Sequence, residues 1–393
     1  MQCCISGKHV PLSRLETPIP AVLGDNSVEF PSSVVRLDRE TTTYSIAILE
    51  ADESLALLAS SLADVEVLHL TSGEVKQSFS GHKAAVNDVV EVRPGLAASC
   101  SIDRTIQLFD PTTCVRMETL RGHRGAVYAL SADRAEERLL SASSDGTLRV
   151  WSCAACCCTH TVKRVPPDGD LLHNEVYDVE FMQYTSSGLH FGIAATQRGS
   201  VELWDLGHGS TEPVSVFSKD VEGEVRCVKV LANQSGNEFL SGGEDHVLRL
   251  WDARVGNKPA YEFRLHRDSI WGLATDGRRA VTTSVRGRAI FWDIRLLKPE
   301  SQLLGFGPFR CVSCAPSRRT YHLGNFYGYI YSVWTAKIPP EPLKDFPDNV
   351  SRDEPPCMAN RRFHNHTSKS SHVQEASSVP QRRQSRRQTC PIT

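Results

Sequence analysis

Apolar residues along the chain fall at alternating positions in short runs, and the runs come in pairs split by a tight turn carrying Asp, Gly or a basic residue. A period of two broken by such turns predicts β-hairpins. The hairpins are also copies of one another. LLSASSDGTLRVW at 139–151 recurs as FLSGGEDHVLRLWD at 239–252 and, more loosely, as AASCSIDRTIQLFD at 97–110. Weaker copies are GIAATQRGSVELWD at 192–205 and AVTTSVRGRAIFWD at 280–293, and the most degraded are LLASSLADVEVLHL at 57–70 and YHLGNFYGYIYSVW at 321–334.

This self-similarity is the organising signal. The second strand of successive copies ends at Leu68, Phe109, Trp151, Trp204, Trp251 and Trp292, at intervals of 41, 42, 53, 47 and 41 residues. Those intervals match the period of roughly 40–45 residues of a four-stranded propeller blade, with insertions in the third and fourth. The seventh hairpin ends at Val333 or Trp334, leaving its register open by one residue. A single blade is too small to bury its own faces, so neighbouring blades must pack sheet on sheet around a closed ring. After Trp334 the chain turns to IPPEPLKDFPD, which offers no outer strand. SVVRL at 33–37 is expected to supply it, clasping the two ends of the repeat region together.

The dipeptides bounding these hairpins resemble those of the WD-repeat family. Gly81-His82 and Gly122-His123 precede copies that end in Phe109-Asp110 and Trp151-Ser152, and full Trp-Asp pairs stand at Trp204-Asp205, Trp251-Asp252 and Trp292-Asp293. The resemblance covers about residues 33–335. It implies an all-β chain with a seven-bladed WD-repeat β-propeller over 33–338, which leaves an N-terminal extension over 1–32 and a basic tail over 339–393 that is rich in Pro, Ser, Gln and Arg, too poor in apolar residues to fold and so expected to be disordered. It also implies a non-catalytic scaffold for protein–protein interaction in a multisubunit complex, with no cofactor.

Composition agrees with a folded core, at 40% hydrophobic and 23% charged residues. No apolar run reaches the roughly 18 residues of a membrane span, and the first twenty residues lack the apolar stretch of a signal peptide, so the expected setting is cytoplasmic or nuclear with no membrane contact. Thirteen cysteines scattered through strand-like segments read as buried thiols in a reducing compartment. The net charge of −2 hides an asymmetry, because residues 361–393 hold seven Arg or Lys against Glu375 alone. That tail is rich in Ser, Gln and Arg and repeats a basic-basic-x-hydroxyl pattern at 382–385 and 386–389, suited to kinase recognition, nuclear import or RNA contact.

Two sets of residues imitate catalytic or metal chemistry. His82, Ser99 and Asp103 recur as His123, Ser141 and Asp145, and without the His as Ser241 and Asp245. A nucleophilic triad needs one such set in a cleft, so repetition argues against catalysis. The resemblance implies instead a structural network within each blade that includes Trp151 and Trp251. Cys153-Ala-Ala-Cys156 and Cys311-Val-Ser-Cys314 have zinc-ligand spacing, with Cys157, Cys158 and His160 crowding the first pair. Period-two alternation sends Cys311 and Cys314 to opposite faces of a strand, whereas the 153–158 cluster falls in a loop after a strand, open to a metal or redox role. No phosphate-binding loop, dinucleotide fingerprint or HExxH motif occurs, so an enzyme reading has no positive support.

The resemblance also points to two surfaces. The usual partner face of the family is one mouth of the channel. The residue after the first apolar position of each inner strand should line it, namely Ser45, Asn87, Tyr128, Tyr177, Arg226, Trp271 and Arg310. Five of these seven are Tyr, Trp or Arg, the side chains that dominate interface hot spots. Arg198 and Arg286 take the turn position that holds Asp103, Asp145 and Asp245 in other copies, adding positive charge on the same face. The expected partner is a protein with an acidic or phosphorylated segment. On the opposite face, 239–254 resembles the WDxR box of propellers that act as substrate receptors of cullin-RING ubiquitin ligases, with 280–295 a partial second copy. Arg254 and Arg295 would then contact a ligase adaptor.

Overall fold

The computed structural model describes residues 8–10, 32–37, 41–164, 174–183, 190–207, 212–217, 222–231, 236–315 and 320–334. The strands in these residues form seven antiparallel sheets. Blade 1 runs outward through Thr43–Ile48, Leu55–Ser60, Asp64–His69 and Val75–Ser80. Blade 2 follows with Val86–Arg93, Leu96–Ser101, Thr105–Asp110 and Val115–Arg121. Blade 3 is Val127–Asp133, Arg138–Ser143, Thr147–Ser152 and Cys157–Lys163. Blade 4 is Val176–Gln183, His190–Thr196, Val201–Asp205 and Ser215–Phe217. Blade 5 is Val225–Val230, Glu238–Gly243, Leu248–Asp252 and Tyr261–Phe263. Blade 6 is Ile270–Thr275, Arg279–Ser284, Arg288–Asp293 and Lys298–Leu304. Blade 7 has Phe309–Ala315, Thr320–Asn325 and Tyr329–Trp334 from the end of the repeat region.

Its outer strand is Ser33–Arg36, paired antiparallel with Tyr329–Trp334 from Ser33 opposite Ser332 to Arg36 opposite Tyr329. The clasp expected from the sequence is therefore present. Leu37 N donates to Gly328 O at 2.8 Å, and Val34, Val35 and Leu37 are buried. One further strand, Lys8–Val10, adds to this sheet from within the segment read as an N-terminal extension. The basic tail over 339–393 lies outside the described residues.

Each inner strand packs against the inner strand of the next blade, and that of blade 7 against that of blade 1, which closes the ring. The apolar core is divided accordingly into seven clusters, each shared by two neighbouring blades. Between blades 4 and 5, for example, Ile193, Leu203 and Phe217 meet Val228, Phe239 and Trp251. Fully burying a side chain such as Phe239 is worth roughly 1.5–3 kcal/mol, and an isolated blade, which offers it Trp251 on its own sheet, realises only part of this. The register of blade 7 is also settled. Tyr321 pairs with Val333 as Phe239 pairs with Trp251, so Val333 holds the buried slot and Trp334 is left 47% exposed.

Candidate functional site

Every inner strand opens with the same irregularity. Pairing with the second strand skips one residue between Thr43 and Ser45, Val86 and Asp88, Val127 and Ala129, Val176 and Asp178, Val225 and Cys227, Ile270 and Gly272, and Phe309 and Cys311. The skipped residues are Tyr44, Asn87, Tyr128, Tyr177, Arg226, Trp271 and Arg310. A bulge re-aims the side chain it carries. The residue before each bulge is buried, while the bulge residue itself is partly exposed in all seven blades. The sequence reading placed Ser45 in this set, and the structure replaces it with Tyr44. Thr43 fills the buried slot that Val, Ile or Phe fills elsewhere, so taking the first apolar residue as Tyr44 shifted the position by one. The other six are the bulge residues of blades 2 to 7.

Six of these side chains pack as two groups of three, Tyr128 with Tyr177 and Arg226, and Arg310 with Tyr44 and Trp271. Asn87 Nδ2 donates to Val127 O at 2.7 Å. The Tyr128 and Tyr177 rings lie 5.8 Å apart, and the Tyr128 hydroxyl donates to Glu175 at 3.2 Å. Arg226 sits 4.3 Å over the Tyr177 ring and pairs with Glu224 and, at 3.0 Å, with Glu244. Arg310 lies 4.9 Å from the Trp271 ring and 5.6 Å from the Tyr44 ring. Burial, and then the charge of Arg226, draws the Arg310 pKa below the ordinary arginine value. Arg286 projects from its turn with a side chain 81% exposed, but Asp268 stands 2.9 Å away and offsets its charge. Arg198 occupies the matching turn of blade 4 and is itself engaged by a neighbour.

Below the mouth, inner-strand carboxylates stitch blade to blade. Asp88 accepts from Leu130 N at 2.8 Å, Asp178 from Val228 N at 3.0 Å, and Glu180 from Val230 N. Burial pushes the Asp88 carboxyl up to about 6 and that of Glu91 up to about 7. Burial also opposes charge on Lys229, but Glu180, Asp178 and Asp88 outweigh it and hold the ammonium above its usual range. These bonds fix the spacing of the strands that carry the bulges.

The His, Ser and Asp sets are built into the blades. His123 Nδ1 meets Asp145 at 3.0 Å, its Nε2 meets Ser141 Oγ at 2.7 Å, and Trp151 Nε1 donates to the same hydroxyl at 2.9 Å. His82, Asp103 and Ser99 repeat this at 3.0 and 2.9 Å, without an indole because Phe109 stands there. Both imidazoles are buried, and burial lowers both pKa values against the pull of their aspartates. In blade 5, Trp251 Nε1 donates to Ser241 at 2.8 Å while Asp245 pairs with the buried Arg249. Two further networks escaped the sequence reading. His266 and Trp292 share Thr282 Oγ1 at 2.6 and 2.8 Å, and its signal was the five-residue step from His266 to Trp271. In blade 4 the buried Arg164 pairs with Glu202 at 2.6 Å, and Glu202 accepts the Trp204 indole at 3.1 Å.

At the other end of the strands, Arg254 folds back on Asp252, with Nε at 3.0 Å and Nη2 at 2.7 Å. Arg295 is exposed in the equivalent turn of blade 6, beside Leu296 at 61% exposure. Cys153 is buried and Cys156 is exposed in the turn before the outer strand of blade 3, whereas Cys157 and Cys158 pair within that strand and not in the loop the sequence suggested. Cys311 and Cys314 point to different environments, Cys311 Sγ approaching Thr43 O at 3.6 Å. Among the described residues, no three His, Cys, Asp or Glu side chains are grouped to hold a metal ion. Among them too, no helix is long and apolar enough to cross a membrane.

A family profile described as WD domain, G-beta repeat matches residues 73–110, 114–152 and 211–252. Each matched stretch starts by the outer strand of one blade and ends with the third strand of the next, so each repeat interlocks two blades. The chain is a WD-repeat β-propeller. This propeller is 27% identical over 263 residues to a ribosome biogenesis protein WDR12 homolog of Arabidopsis thaliana, covering 59% of the chain and 60% of that protein. It is 25% identical over 232 residues to a guanine nucleotide-binding protein subunit beta of Zea mays, covering 48% of the chain and 60% of that protein. With Striatin-4 of Mus musculus it shares 30% identity over 172 residues, 43% of the chain and 21% of that protein. The chain thus spans about 60% of the length of the first two relatives.

Proposed function

We propose that this propeller is a non-catalytic scaffold that gathers protein or ribonucleoprotein components, and that its bulge-lined mouth binds an acidic or phosphorylated segment of its main partner. The observation that carries this is the bulge set, in which six of seven partly exposed positions hold Tyr, Trp or Arg. Such residues concentrate binding energy when a partner desolvates them, and bulges held by interblade hydrogen bonds present them already ordered. Relatives named as a subunit or for ribosome biogenesis fit membership of an assembly. Nine free thiols among the described residues fit a reducing setting, cytoplasmic or nuclear.

The test is quantitative affinity purification of the tagged protein beside its Trp271→Ala and Arg226→Ala variants, with mass spectrometry of what co-purifies. The main partner should be depleted from both variants while their melting curves stay cooperative. Equal recovery from both would move the interaction to another surface.

A further inference from the structure

The mouth is not uniform around the ring. On the side of blades 3 to 5 its arginine is already neutralised, because Arg226 pairs with Glu224 and Glu244. On the side of blades 6 and 7, Arg310 meets only aromatic faces among the described residues, those of Trp271 and Tyr44. Other arginines withdrawn from water in this molecule are paired differently: the buried Arg164 and Arg249 and the partly buried Arg138 and Arg279 each meet a carboxylate. A guanidinium stacked on rings keeps its fork of N–H donors free in the ring plane for a carboxylate.

Beside Arg310 lies an aromatic shelf. The Trp271 ring is 5.5 Å from Phe326, and next along the turn Tyr327 packs 5.7 Å from Phe306. Phe306 is 56% exposed and Tyr327 38%, although the surrounding backbone is firmly held. Phe326 N donates to Pro308 O at 3.1 Å, Phe306 N to the Tyr331 hydroxyl at 2.8 Å, and Asn325 Oδ1 accepts from Tyr327 N and Tyr329 N at 2.9 and 2.8 Å. Gly307, at φ 83°, lets the loop pass under the Tyr327 ring, where any Cβ would come within 2.1 Å of it. A rigid loop that holds a phenylalanine in water stabilises nothing by doing so, which points to a surface kept ready for contact.

We infer that blades 6 and 7 form the specificity-determining part of the mouth and take a peptide segment carrying a carboxylate next to a large apolar side chain. Arg310 pairs with the carboxylate, and Phe306, Tyr327, Phe326 and Trp271 receive the apolar side chain. This rests on the mouth being the partner site. The occupant follows from charge complementarity to Arg310, which meets no carboxylate among the described residues, combined with the apolar area at its side.

The experiment is selection of a phage-displayed random peptide library on the full-length protein, followed by binding isotherms of the enriched peptides as synthetic, labelled forms. Enriched sequences should place Asp or Glu beside Phe, Leu, Ile or Trp. Their affinity should fall about tenfold or more in Arg310→Ala and in Phe306→Ala and hold in Arg116→Ala, an exposed arginine at the start of the outer strand of blade 2. Phe306 is exposed, so its variant keeps the fold and remains informative if Arg310→Ala does not. Peptides weakened by Arg226→Ala but not by Arg310→Ala or Phe306→Ala keep the mouth and overturn the assignment to blades 6 and 7. Peptides indifferent to every mouth variant, Trp271→Ala included, overturn both readings. Enrichment without acids, or no enrichment over an unrelated protein, overturns the inference.

Discussion

Replacing Asp145 by Ala removes one carboxylate from the turn between the second and third strands of blade 3, and its cost follows from the four donors that lose an acceptor. Oδ2 takes His123 Nδ1 at 3.0 Å and Arg124 N at 2.8 Å, while Oδ1 takes Thr147 N at 3.0 Å and Thr147 Oγ1 at 2.6 Å. Arg124 is exposed and can turn to water, whereas His123 and Thr147 are buried. A buried donor left unsatisfied costs about 1–3 kcal/mol, so Asp145→Ala should destabilise the propeller by roughly that amount. Burial opposes ionisation of Asp145, but hydrogen bonds from His123, Thr147 and Arg124 outweigh it and lower its pKa below the ordinary aspartate value. A carboxylate lowered in the fold contributes fully above the unfolded value near 4 and loses that contribution only as pH falls through the folded value, so between pH 7 and 8 the penalty should be constant. The assay is urea denaturation of parent and variant, comparing midpoints at unchanged slope. A midpoint equal to that of the parent would refute the claim that this network is structural.

Three other expectations follow from the same geometry. Val35→Asp puts a charge into the clasp where Val35 is buried opposite Ile330, so the variant should form aggregates by size-exclusion chromatography; a monomer with unchanged melting temperature would remove the clasp from the account. Burial lowers the His266 pKa to about 3, so its contribution to stability is lost as pH falls below about 6.5, at up to roughly 1.4 kcal/mol per pH unit. Asp88 and Glu91, raised by burial to about 6 and about 7, act in the opposite sense, so the readout is the difference between parent and His266→Gln. The variant should show a shallower loss of stability from pH 6.5 to 5, and parallel slopes would contradict this. Charge reversal at Arg254 and Arg295 should leave the fold intact, since both are exposed, and should abolish co-purification of a cullin adaptor if that face serves one; absence of any cullin component with the parent protein removes that role.

The ring, the blade count and the clasp were legible because each depends on alternation and repeat spacing, which the chain writes seven times. The network of His123, Ser141, Asp145 and Trp151 was legible because its members keep fixed steps from the turn. What stayed hidden was set across the sheet. The bulge is a property of pairing between strands, so Thr43 in the apolar slot concealed Tyr44. Blade 4 replaced the His, Ser and Asp set by Arg164 and Glu202, which stand far apart in the chain and carry no spacing rule. The shelf of Phe306 and Tyr327 joins an outer-strand exit to the next blade's turn, a contact that only the packing of blade 6 against blade 7 creates. The expected positive field at the mouth was likewise altered by residues no motif marks, with Glu224, Glu244 and Asp268 offsetting Arg226 and Arg286.

The claim that the bulge-lined mouth is the working surface is tested most directly by binding isotherms of the purified main partner on the parent protein and on Trp271→Ala, at low and at physiological salt. Truncating a hot-spot side chain costs roughly 2 kcal/mol or more, so the variant should bind about 30-fold more weakly. Binding to the parent should itself weaken as salt rises, because screening over about 8 Å at physiological ionic strength reduces attraction to Arg310. Equal affinity of parent and variant at both salt concentrations would contradict the account and place the partner elsewhere on the propeller.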